Sequence, residues 1–169
     1  MKKQFSQKGF TLIELLIVIA VMSILSTVVI VALDPAARFA DARNGNRSGV
    51  VDALLSAIKL DQADNKGAYL QDILDLTPEL AFQIGTSAVG CDDVCSDESI
   101  TLQAACVNLG DLADRGKIAE IPVDQNAEGA SASETRFYMI KHDNGGITIG
   151  SCGAEKGSNT SVPIIKAKR

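Results

Sequence analysis

The chain has no tryptophan, and its five Phe and two Tyr residues bring the aromatic content to only 4 %. No platform for stacking bases is therefore evident. Positive charge is also short: 16 Lys and Arg stand against 21 Asp and Glu, a formal net charge of -5. That balance argues against a general nucleic-acid binder. There is one histidine, His142, beside a turn pattern. A lone turn histidine is far more often solvated than catalytic, and nothing supports a Ser-His-Asp or Cys-His arrangement around it. No glycine-rich loop follows a strand pattern, so no nucleotide site is implied. No internal repeat is evident, and 169 residues suffice for one domain of ordinary size.

The most telling absence is local. From Phe10 to Leu33 the chain runs for 24 residues without Lys, Arg, Asp, Gly or Pro. As a helix that run is about 36 Å long, against a bilayer core of ~30 Å. Val, Ile and Leu surround it with no polar face at period 3.6, as a lipid or helix-bundle environment demands. The stretch before it, "MKKQFSQKG", holds Lys2, Lys3 and Lys8 and no acid. By the positive-inside rule these lysines stay cytoplasmic and the remainder crosses the membrane. An ordinary cleaved secretory signal has a shorter apolar core and a small-residue cleavage site, whereas "VALDPAARFA" is a poor cleavage context. A plain uncleaved signal anchor is the other alternative.

One charge does lie inside the run: Glu14. A carboxylate in a membrane helix costs roughly 2.5–3.5 kcal/mol at the centre and less toward an end. Either Glu14 reaches headgroup water and does nothing, or it has a partner. Its spacing supplies one. A cut between Gly9 and Phe10 would create an α-amino group at Phe10, about one helical turn before Glu14. Between parallel helices offset along their axes, Glu14 of one meets the amine of the next. A charge that is unfavourable alone in lipid then selects assembly and sets the axial stagger.

"KGFTLIELLIVIAVMSIL" resembles the class III leader and transmembrane segment of type IV prepilins and of type II secretion pseudopilins. Lys8, Gly9, Phe10, Thr11, Leu12, Glu14 and the apolar run carry the likeness, which covers about residues 1–33. The resemblance implies that a membrane-embedded prepilin peptidase cuts after Gly9 and methylates Phe10. The nine-residue leader and the Phe at the cut are similar to the type IVa and pseudopilin group. The family plan implies one long N-terminal helix, half in the membrane or filament core and half packed on a sheet. The chain also departs from the family: where many members have Pro at the twenty-second mature position, Val31 stands, and the nearest proline is Pro35 after Asp34. Asp-Pro reads as an N-cap followed by the first helical position, or as a kink. Any melted segment is expected between Leu33 and Arg38.

Beyond Pro35, Phe39, Val50, Leu54, Ala57, Ile58 and Asp61 recur at spacings near three and four, so Val50 to about Asp64 reads as an amphipathic helix. Gly45 and Gly49 predict a loose stretch or a close helix contact. Asn65, Lys66 and Gly67 are a stop signal. "TPELAFQIG" reads as a short helical turn capped at Thr77. "VNLGDLADRGKIAEIPVDQ" reads as a short helix or turn closed near Gly116, and "EGASASE" as a loop. Arg136 to Lys141 and Ile147 to Ser151 read as two strands joined by "HDNGG". The tail "GSNTSVPIIKAKR" reads as a mobile end. The fold class is therefore α+β: a long N-terminal helix with a membrane-spanning first half and a break near Asp34-Pro35, packed on a small C-terminal antiparallel sheet domain. The expected organisation is leader 1–9, removed; membrane or filament-core helix 10–33; periplasmic half of the helix 34–66; soluble domain 67–169.

The four cysteines, Cys91, Cys95, Cys106 and Cys152, all fall outside the cytoplasm in this reading. An even number there suggests two disulfides, with three connectivities open; a bridge to Cys152 would tie the last strand to the middle of the domain. A Cys₄ zinc site is the rival, weakened by the 46-residue gap between Cys106 and Cys152, and free thiols are the remainder. "CDDVCSDES" gathers Asp92, Asp93, Asp97 and Glu98, which offer oxygen ligands to Ca²⁺, but a solvated acidic loop is the default. Lys166, Lys168 and Arg169 make a small basic tail. It would touch DNA phosphates in a DNA-uptake filament, though more often such a tail only solubilises.

The first reading is a structural protein, not an enzyme, with no cofactor and no metal. It is a type IV pilin-like subunit processed at Gly9/Phe10, stored in the inner membrane, and assembled into a surface or periplasmic filament. Its expected partners are copies of itself, prepilin peptidase, the inner-membrane pilus or secretion machinery, and lipid before assembly. Nucleic acid is unsupported. Cleavage leaves 160 residues with 13 basic against 21 acidic side chains. The alternatives are a secretion pseudopilin and a membrane-tethered binding module that never polymerises.

Overall fold

The computed structural model describes residues 9–169. The leader lysines Lys2, Lys3 and Lys8 lie outside that range. Two helices come first: α1, Leu12–Leu33, and α2, Pro35–Asp64. They meet at a single residue, Asp34, in the left-handed region with φ 40° and ψ 76°. Its carboxylate accepts the Ala37 N–H at 3.3 Å, and Pro35 takes the first helical position, where a missing N–H loses nothing. Of the two readings of Asp-Pro, the N-cap is the one adopted. The interruption falls within the stretch expected to hold the break, Leu33 to Arg38, and is one residue long, since Arg38 N–H already bonds the Asp34 carbonyl at 3.2 Å.

Helix α2 continues through Gly45 and Gly49, contrary to the expected looseness. A Cβ at either would meet nothing within 4 Å, so the glycines face open space and no close packing explains them. Its buried face runs through Ala40, Asn44, Arg47, Val51, Leu54, Leu55, Ile58 and Asp61. Phe39, expected on that face, is 65 % exposed. The stripe is anchored at its start by Asn44 and Arg47, polar residues that an apolar count passes over. The helix stops as expected: Asn65 caps it, and Lys66 (φ 57°) and Gly67 (φ 91°) turn left-handed.

The sheet is antiparallel in the order β1-β2-β3-β4. Its centre is the expected hairpin, β2 (Phe137–Lys141) and β3 (Ile147–Ser151), closed by His142 N–H to Gly146 carbonyl at 2.9 Å. Two expectations are corrected at its flanks. The segment expected to be helical after Thr77 instead makes a turn and then β1, Ala81–Gln83, paired with Ile140 to Tyr138; the short helix lies upstream as α3, Gln71–Leu74. The tail expected to be mobile forms β4, Lys166–Lys168, paired with β3 through Thr148, Ile149 and Gly150. In both cases the ladder partner lies far away in sequence, where a local pattern carries no sign of it. Ile165 and Ala167 pack against the core between the polar residues that disguise the strand. Helix α4, Gly110–Asp114, closes near Gly116 as expected, and the small residues before Arg136 form a loop.

The sheet is covered on both faces. On one, Phe137, Met139, Ile147 and Ile149 meet Val51, Leu54, Leu55 and Ile58 of α2. On the other, Tyr138 packs with Ala81, Leu102, Cys95 and Cys152. Tyr138 lies across its cross-strand neighbour Gly150, where a Cβ would stand 2.4 Å from the ring. The chain after β1 supplies this second cover. It returns beside β1 through parallel bridges at Ala81–Leu102 and Ile84–Val107, which hides that edge.

Candidate functional site

The N-terminal segment is built by a cap. Thr11 is the N-cap of α1, and its hydroxyl accepts the Glu14 N–H at 3.3 Å. Glu14 reaches back, and its Oε2 accepts the Thr11 N–H and the Thr11 hydroxyl, each at 2.8 Å. This reciprocal capping box satisfies two orphan donors of the first turn. It also gives the carboxylate partners in its own chain, which the sequence reading did not foresee. Among the described residues Glu14 Oε1 accepts no hydrogen bond. Phe10, just before the cap, is 89 % exposed.

The rest of α1 suits an apolar surround. Leu12–Ile30 is long and apolar enough to cross a membrane, and none of it is buried against the chain. Its three hydroxyls turn inward on the helix: Ser23, Ser26 and Thr27 donate to the carbonyls of Ile19, Met22 and Ser23 at 2.7–2.9 Å. No hydroxyl of these three needs a partner from lipid.

In the soluble part the cysteines pair as Cys91–Cys106 and Cys95–Cys152. That sets aside the zinc and free-thiol alternatives, and Cys152 does tie the end of β3 to the mid-chain cover. The acidic loop between the bridges does not converge. Asp92 and Glu98 are exposed. Asp93 pairs with Arg136 Nη1 at 2.6 Å. Asp97 is buried, accepts from Ser99, and meets Lys166 at 3.4 Å. Burial works to raise its pKa, but the Ser99 bonds and the Lys166 charge outweigh it and the pKa is lowered. Among the described residues no three His, Cys, Asp or Glu side chains gather as a metal site. The solvated acidic loop is thus corrected for Asp93 and Asp97.

His142 is corrected as well. Its side chain is 14 % exposed, with Nδ1 2.9 Å from Glu79 Oε2 and Nε2 2.8 Å from the Thr148 hydroxyl. Glu79 Oε1 accepts the Asp143 N–H at 3.1 Å. The His142 bond, then that backbone bond, hold the Glu79 pKa below the usual range. Thr148 is buried, so this acid–imidazole–hydroxyl chain clamps the hairpin turn and presents no nucleophile to solvent. The basic tail is partly committed too: Lys166 meets Asp97, and the Arg169 backbone pairs with Ile147 at 2.8 and 3.0 Å.

Sequence reading missed an ionic clasp between α2 and the C-terminal half. Arg47 is 2 % exposed and grips Asp124 with two bonds, Nε to Oδ2 at 2.6 Å and Nη2 to Oδ1 at 3.2 Å. Its Nη1 reaches Asn44 Oδ1 at 3.0 Å and Glu155 Oε1 at 2.8 Å. Asn44 exchanges two bonds with the Glu155 backbone, and Arg43 pairs with the Glu155 carboxylate. The Arg43 bond first, with Arg47 behind it, brings the Glu155 pKa down to about 2. One turn further toward the N-terminus, Asp41 accepts from the Ser158 hydroxyl at 2.6 Å and its N–H at 3.1 Å, which lowers its pKa. The signal was present in the helix phase: extending the stripe back from Leu54 and Val51 lands on Arg47 and Asn44.

An uncovered apolar helix opened by Gly-Phe-Thr and a cap-forming glutamate, then a disulfide-stapled α+β domain, is the layout of an N-terminally anchored protein. The family model described as the prokaryotic N-terminal methylation motif matches residues 4–30. The chain therefore carries the class III signal motif of type IV pilins and pseudopilins, which fits a single-pass inner-membrane anchor. The motif supports a pilin- or pseudopilin-like precursor and suggests a structural rather than a catalytic protein. The match covers the anchor and not the domain that follows. No curated protein and no solved structure matches the chain.

Proposed function

We propose that this chain is the precursor of a type IV pilin-like filament subunit. Prepilin peptidase removes residues 1–9 by cutting between Gly9 and Phe10 and methylates the new Phe10 amine. The helix 10–33 holds the subunit in the inner membrane with its N-terminus cytoplasmic, while 34–66 and the soluble domain 67–169 stand outside. The assembly machinery of a pilus or secretion system then draws subunits into a filament whose core is a bundle of these helices. Such head-to-tail contacts are heterologous and open, so they build a fibre. The observation that carries the reading is the overlap of the methylation motif, residues 4–30, with an apolar helix that none of the described residues covers.

In this reading Glu14 Oε1 takes the Phe10 amine of a neighbouring subunit while Oε2 stays in the capping box. One observation favours a second reading, a tethered module that never polymerises: the carboxylate already has partners within its own chain. Glu14→Ala separates the two. Loss of sheared filaments with normal membrane levels supports the subunit, and unchanged function in cells that make no filament supports the module. Thr11→Val is the control, because it weakens the cap and keeps the carboxylate.

A further inference from the structure

Beyond the membrane helix, the first turns of α2 have two unlike faces. One is covered: Ala40 is buried, Asp41 holds Ser158, and Arg43 and Asn44 hold Glu155. The other carries Phe39 and Ala42, both exposed, with exposed Arg38 beside them. A single exposed apolar side chain says nothing by itself. Phe39 is distinguished by its place, six residues after the apolar run ends at Leu33.

We propose that this face, centred on Phe39, rests on the outer leaflet of the bilayer while the subunit is held in the membrane. The inference depends on α1 being the membrane span. If α2 continued straight along the membrane normal, Phe39 would stand about 9 Å past Leu33. The headgroup layer is only ~5–7 Å thick on each side, so a straight helix would leave the ring at or beyond its edge. The left-handed break at Asp34 frees α2 from that line. A lean toward the surface lays the Phe39 ring among the headgroups and brings the Arg38 guanidinium to lipid phosphates. The covered face lies on the opposite side, so the same lean carries the soluble domain away from the bilayer. Arg38 makes no ion pair among the described residues, and only the nearby Asp41 carboxylate feels its charge from the same helix.

The absence of tryptophan makes a clean test. Phe39→Trp, Met22→Trp and Leu60→Trp are each made in the full-length chain and reconstituted in phosphatidylcholine–phosphatidylglycerol vesicles. All three positions are exposed. Met22 reports the span, and Leu60 lies about 32 Å along α2 from Phe39. Fluorescence quenching by brominated lipids, with bromines near the headgroup for F39W and L60W and at mid-chain for M22W, is compared with quenching by aqueous acrylamide. The expected result is that F39W loses most of its emission to brominated lipid and is shielded from acrylamide, while L60W shows the reverse. If M22W is quenched by brominated lipid and F39W behaves like L60W, the leaflet contact is wrong and the span stands. If M22W is not quenched either, the span itself is wrong. If F39W is shielded from acrylamide but untouched by brominated lipid, a second protein copy covers it and the proposal is overturned.

Discussion

At the scale of single residues, a buried ion pair joins α2 to the C-terminal half. Arg47 and Asp124 are both almost fully buried, so each relies on the other. Removing one partner of such a pair costs about 3–5 kcal/mol, because the remaining charge stays buried and unpaired. Arg47→Ala should lower stability by that amount in denaturant titrations of the detergent-solubilised chain. Arg47→Met with Asp124→Leu should recover most of it. Glu155 adds a pH dependence. Its folded pKa, about 2, lies below its usual 4.5, so its contribution is present above pH 4.5 and fades as pH falls toward about 2. Asp41, Glu79 and Asp97 are lowered too and act in the same direction. Unfolding curves taken through that window should show a steeper loss for the native chain than for Glu155→Gln. Partial exposure of Glu155 keeps the difference modest.

At the scale of elements, the legible parts of the chain are those whose signal is local. The apolar run gives α1, Asp-Pro gives the cap of α2, Asn-Lys-Gly gives its end, and the residues around "HDNGG" give β2 and β3. Strands β1 and β4 were illegible because three-residue strands take their identity from the ladder they join. The helix phase reaches Asn44 and Arg47, but what they hold was hidden, because their partners, Glu155 and Asp124, lie 111 and 77 residues away. At the N-terminus, the motif that residues 4–30 match was legible, whereas the capping box of Thr11 and Glu14 required the geometry. Pairing of the cysteines was equally closed to sequence, since connectivity depends on which loops the fold brings together. The two bridges close different lengths of chain, 15 and 57 residues. In the chain-entropy account the shorter is worth about 3 kcal/mol and the longer about 4 kcal/mol. Replacing Cys95 and Cys152 by Ser should therefore cost more than replacing Cys91 and Cys106, as read from denaturation midpoints of the two variants.

For the whole molecule, the division of labour follows from where the apolar surface lies. The soluble domain buries its own, with α2 on one face of the sheet and the stapled cover on the other. Helix α1 buries none of its span, so it needs lipid or other copies of itself. A subunit that is stored in a membrane and later polymerised uses the same surface for both. The account turns on whether the chain is cut at the start of that helix. Intact-protein and N-terminal peptide mass spectrometry, on membrane and sheared surface fractions of native cells, tests this most directly. The account predicts a sheared-fraction chain that begins at Phe10, carries one added methyl group, and lacks four hydrogens until its cysteines are reduced. A chain that still bears Met1 to Gly9, found only in membranes of cells with active prepilin peptidase, would contradict it.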